Sequence, residues 1–75
     1  MNIVGFSSDR YLRYMVPLDI TIFFVRQTAG TASASVLAVR PGRAVIHLQL
    51  EFPLAPSEDP VQAAYDEALA YLDIA

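Results

Sequence analysis

The chain has 75 residues, of which 55% are hydrophobic and 17% charged, and it carries a net charge of −3. So apolar a composition excludes a disordered segment, and so short a chain has room for a single domain. Cysteine is absent, which excludes disulfide staples and thiolate metal sites.

The charges are unevenly laid out. All five basic residues are arginines (Arg10, Arg13, Arg26, Arg40, Arg43), and up to residue 43 they are accompanied only by Asp9 and Asp19, a net of +3. Beyond residue 43 come Glu51, Glu58, Asp59, Asp66, Glu67 and Asp73, a net of −6. An acidic chain with no lysine argues against nucleic acid as a direct ligand, since such binding is driven by a net basic surface. Residues 1–6 lack the basic start and long apolar run of a secretion signal. The apolar stretch 15–25 is broken by Pro17, Asp19 and Thr21, well short of a membrane span. The expectation is a cytoplasmic protein.

In chain order, residues 1–16 allow two readings. Residues 2–6 read as an edge strand or an ordered tail. Ser8 or Asp9 can cap a helical turn, whereas residues 11–16 as a strand would set Leu12, Tyr14 and Val16 on one face. Pro17 then interrupts the ladder. Residues 18–26 form a strong strand, with Ile20, Ile22 and Phe24 on one face and Asp19, Thr21, Phe23 and Val25 on the other. Residues 27–35 are small and polar around Gly30 and read as a flexible connection.

Strands follow over 33–40 and 43–52, with Arg40-Pro41-Gly42-Arg43 as the turn between them. The second strand alternates cleanly, with Ala44, Ile46, Leu48, Leu50 and Phe52 on its dry face. The first leaves its register open. A two-residue loop would put Leu37 and Val39 on the dry face, and a three-residue connection Val36 and Ala38.

The helix start is well marked. Asp59 suits the cap, Pro60 the first helical position, and Gln62 can reach back to the cap backbone. Over 60–73, Val61, Ala64, Tyr65, Ala68, Leu69 and Leu72 make one apolar stripe. Asp73 and the terminal carboxylate oppose the helix dipole, so fraying is expected after Leu72.

These elements predict a small α+β domain of two layers, in which a three- or four-stranded antiparallel sheet carries one C-terminal amphipathic helix on one face. Ile20, Ile22 and Phe24 with Ile46, Leu48 and Leu50 are expected under the helix. The opposite face would then expose Phe23, Val25, part of 36–39 and Val45, and an uncovered apolar patch marks an interface.

No catalytic, cofactor-binding or metal-binding residue is assigned. His47 is the only histidine, and with Glu51 it falls short of the three or four ligands a zinc site needs. The serines have no activating base in prospect. The expected activity is that of a non-enzymatic module that binds and inhibits or adapts a larger protein assembly. The alternative is a homodimeric regulatory or antitoxin-like module joined through its uncovered sheet face. The partner is another protein or a second copy, with no membrane. The expected contacts are Phe23, Val25 and Arg26 on the sheet, Arg40 and Arg43 in the turn, and Asp66, Glu67 and Tyr71 on the helix.

The run Glu51-Phe52-Pro53-Leu54, followed by Asp59 and an alanine-rich helix, loosely resembles the β-β-β-α half-domain of HicB-like antitoxins. It lacks the glycine-cysteine loop usual there between strand and helix. In size, acidity and want of catalytic groups the chain also resembles small phage-encoded inhibitors such as anti-CRISPR proteins. That likeness is of type, without shared motifs.

Overall fold

The computed structural model describes residues 2–4 and 6–74, and the side chains of residues 6–72. Strands β1 (Asn2–Val4), β2 (Ser7–Arg13), β3 (Val16–Thr28), β4 (Thr31–Val39) and β5 (Ile46–Pro53) precede a single helix, α1 (Pro60–Ile74). All strand pairs are antiparallel. β1 and β2 lie end to end along one edge of β3, with Val4 opposite Val25 and Ser7 opposite Ile22. They act as one interrupted strand. The result is a four-stranded open sheet with α1 on one face, the two-layer α+β domain that the periodicities predict.

The N-terminal segment is strand. Its hairpin turns at Tyr14 and Met15 rather than running on through Val16, which opens β3. Pro17 lies opposite Leu12, and β4 stops opposite Asp19, so Pro17 has a strand neighbour on one edge only. That position tolerates a residue without an N–H.

The small polar run 27–35 is also strand rather than a flexible connection. β3 continues to Thr28 and β4 begins at Thr31, leaving a two-residue turn in which Gly30 takes φ +78°. Ala32, Ala34, Val36 and Ala38 face inward along β4 and are buried. Val36 lies opposite Leu48 and Ala38 opposite Ile46, the inward residues expected of a three-residue connection, although the connection has six. That connection is residues 40–45, closed by a turn in which the Arg43 amide donates to the Arg40 carbonyl at 3.3 Å. Gly42 supplies the positive φ, +69°. Ala44 and Val45 belong to this loop, not to the strand.

At its start, α1 is capped by Asp59, whose carboxylate accepts from the Val61 amide at 2.9 Å. Gln62 does not reach back to the cap. It donates to Asp66 one turn further on, at 3.2 Å. The apolar stripe of Ala64, Tyr65 and Ala68, flanked by Val61, Leu69 and Leu72, packs on Leu18, Ile20, Ile22, Val25, Val36, Leu48 and Phe52. Alanines on both surfaces let the helix approach the sheet closely.

Three residues of β2 hold the helix from the side. Ser7 Oγ lies 2.7 Å from the Tyr65 hydroxyl, the Tyr11 and Tyr65 rings are 6.0 Å apart, and Arg13 donates to the Leu69 carbonyl at 3.2 Å. Burial, with Asp9 nearby, pushes the Tyr11 phenol above its ordinary pKa. α1 runs to Ile74, one residue beyond the expected 60–73. The expected opposition of Asp73 lies outside the described side chains. Among the described residues no helix is long and apolar enough to cross a membrane.

Candidate functional site

The face of the sheet away from α1 has no described element over it. Its character is set by one irregularity. Between β3 and β4 the register shifts, so that Ile22 opposes Val36 while Phe24 opposes Ser35. Two residues, Phe23 and Phe24, therefore separate the inward-facing Ile22 from the inward-facing Val25, and the bulge turns both rings to the open side. Phe23 is 43% exposed and Phe24 37%. Phe6, opposite Phe23 on the interrupted edge, is 70% exposed and meets the Phe23 ring edge-on at 6.3 Å.

The same shift corrects two sequence expectations. Val25, expected on the uncovered face as a partner contact, is fully buried beneath the helix. Phe24, expected under the helix, faces out. A residue inserted at a bulge reverses the parity of everything after it.

Around the three rings the face is polar. Leu37 and Val39 of β4 are half-buried, and His47, Gln49 and Glu51 line β5. Gln49 donates to Ser35 Oγ at 3.0 Å. Arg26 stands opposite Ser33, itself opposite Glu51. On the other side, Arg10 grips Asp19 through two bonds, Nε to Oδ1 at 2.6 Å and a terminal nitrogen to Oδ2 at 3.0 Å. The hydrogen bond from Arg10 holds the Asp19 carboxyl below its ordinary pKa, and Asp19 raises that of Arg10.

The remaining expected contacts lie elsewhere. Arg40 and Arg43 are in the loop at one end of the sheet. There, with Arg13, they line a cleft beside the β2–β3 hairpin tip and Leu72. Asp66, Glu67 and Tyr71 are exposed on α1, on the covered side of the sheet. The eight expected residues thus divide among the open face, the loop end, the helix surface and, for Val25, the core. They do not form one surface.

Phe6, Phe24, Leu12, Tyr14 and Met15 are also exposed, and none of them was among the expected contacts. The adjacent pair Phe23-Phe24, which interrupts strict alternation, was the signal for the first two. Among the described residues no three His, Asp or Glu side chains converge as a metal site would require. The fold and this face define a small α+β domain with an open aromatic sheet surface. The chain matches no family model, no curated protein and no solved structure.

Proposed function

We propose that this protein is a non-enzymatic interaction module of the cytoplasm, which binds a larger protein assembly through the open sheet face and inhibits or adapts it. The observation that carries this reading is the bulge at Phe23, which presents two phenylalanines beside Phe6 where a regular strand would present one. Exposed rings surrounded by Arg26, Ser35, Gln49 and Glu51 have the arrangement of a protein interface, apolar at the centre and polar at the rim. Arg26 and the polar residues of β5 would give orientation more than affinity.

A second reading, a homodimeric regulatory or antitoxin-like module, has its own support in β5. This strand ends the sheet, runs eight residues, and carries neither lysine nor an interior proline. Such an edge is open to pairing with another strand. The opposite edge is broken between Val4 and Ser7.

The test is solution mass by light scattering over a range of concentrations, for the native chain and for Phe23→Asp. The interaction-module reading expects a monomer throughout and a variant that stays folded but no longer binds its protein partner. A dimer near twice 8.2 kDa would establish the second reading instead, joined through the open face if Phe23→Asp dissociates it and through the β5 edge if it does not. If the variant unfolds, Phe23 is a core residue and both readings of this face fail.

A further inference from the structure

The geometry points to a second site, an anion-binding cleft at the loop end of the sheet, suited to a small molecule with a phosphate or carboxylate head and an apolar body. The cleft measures about 470 Å³ and lies between the β2–β3 hairpin tip, the 40–45 loop and the end of α1. Small-molecule sites commonly fall between about 300 and 1,000 Å³.

Its lining sets three arginines, Arg13, Arg40 and Arg43, against Tyr14, Val16, Leu18, Pro41 and Leu72, with no carboxylate among the described lining residues. A chain of net charge −3 has gathered three of its five cations here. Arg13 already has partners in the folded chain, so the charge left for a ligand is that of Arg40 and Arg43, whose mutual repulsion an anion entering between them removes. Guanidinium groups also match the planar oxygens of carboxylate and phosphate better than any other side chain does.

A duller explanation is that the arginines merely offset the negative end of the helix. Arg13 does so, through the Leu69 carbonyl. Arg40 and Arg43 form no ion pair among the described residues. Both issue from one short turn, closed by its own backbone hydrogen bond with proline and glycine at its centre, so their Cα positions are set side by side at the mouth of the cleft.

The rim supplies an independent sign. Tyr14 and Met15 hold φ values of +51° and +66°, and are 91% and 88% exposed. A two-residue turn with both values positive normally uses asparagine and glycine. Here the turn sets Tyr14 and Met15 out from the sheet, and of the two only Tyr14 lines the cleft, where its ring can lie against an apolar body.

The site is remote from the Phe23 patch and does not rest on the proposed function, so each can fail without the other. The test is an NMR titration of the ¹⁵N-labelled chain with phenyl phosphate and with benzoate, using benzyl alcohol as the uncharged counterpart. Saturable shifts are expected at the Arg40 and Arg43 Nε–H groups and at the amides of residues 13–16. Saturation with phenyl phosphate alone specifies a phosphoryl head, and with both anions a general oxyanion site. In Arg40→Ala/Arg43→Ala, and in the single variant Arg43→Glu at an exposed position, affinity should fall by at least about tenfold with the rest of the spectrum unchanged. Equal binding of benzyl alcohol, equal shifts at Arg10 and Arg26, unchanged affinity in a folded variant, or no saturable shift would each overturn the assignment.

Discussion

At position 23 the sheet takes one residue more on β3 than on β4, and that residue decides which side chains of the strand meet solvent. Without it Val25 would lie outside and Phe24 inside. A single ion pair beside this face reports on its electrostatics. Arg10 and Asp19 are both solvent-exposed, so their pairing contributes little to stability and mainly fixes their geometry. The Asp19 carboxyl is lowered from its ordinary 3.8 by the Arg10 hydrogen bond. The small stabilisation it gives is therefore complete above that ordinary value, and is lost as pH falls through the lowered native one. A carboxyl-carbon NMR titration should place the Asp19 midpoint below its ordinary 3.8. In Arg10→Met it should return towards 3.8. A midpoint unmoved by that substitution would show that the bidentate contact does not persist in solution.

Among the elements, the β2–β3 hairpin is the one whose local chemistry opposes its conformation. Each non-glycine residue in the left-handed region costs about 1–2 kcal/mol, and this turn holds two, Tyr14 and Met15. Met15→Gly relieves one of these costs and gives back part of it as extra freedom of the unfolded chain. It should raise stability by about 0.5–1 kcal/mol, read as a higher denaturant midpoint at unchanged slope. A lower midpoint would mean that the Met15 side chain has a partner in the folded chain. This turn was illegible in the sequence because nothing in Arg13-Tyr14-Met15-Val16 is a turn former.

The same physics separates the other elements that could be read from those that could not. β5 alternates large apolar with polar groups, and α1 has Asp59, Pro60 and a full stripe, so strand face and helix start followed directly. β4 alternates too, but between alanine and serine, whose small difference in hydropathy looks like a loop until the helix is seen resting on Ala32 and Ala34. The bulge hid between two phenylalanines, where either parity leaves an apolar residue on each face. The open face was anticipated as an uncovered surface, but with Val25 and Val45 wrongly on it and Phe24 wrongly off it. The arginine cleft was out of reach of pattern reading, because it joins three segments that only the register of β4 on β3 brings together.

The molecule as a whole is thin for its length, 38 × 19 × 17 Å, with the thirteen residues of β3 running along its long axis. One helix over four strands leaves 4916 Å² accessible, against about 4,500 Å² for a compact monomer of this mass. If the proposed partner exists, two places can receive it: the phenylalanine face and the β5 edge. Hydrogen exchange tells them apart, because amide groups lie in the plane of the sheet whereas side chains stand above it. In a free chain, alternate amides of residues 46–53 point towards β4 and exchange slowly, while those between them point outward and exchange fast. A strand added at the edge protects both sets. A partner on the open face leaves the alternation as it was. We expect the alternation to persist at every protein concentration, and to survive addition of a protein that contacts Phe23. Uniform protection of β5 at high concentration alone would instead identify the edge as the joint of a homodimer, and would move the function from the face to the strand.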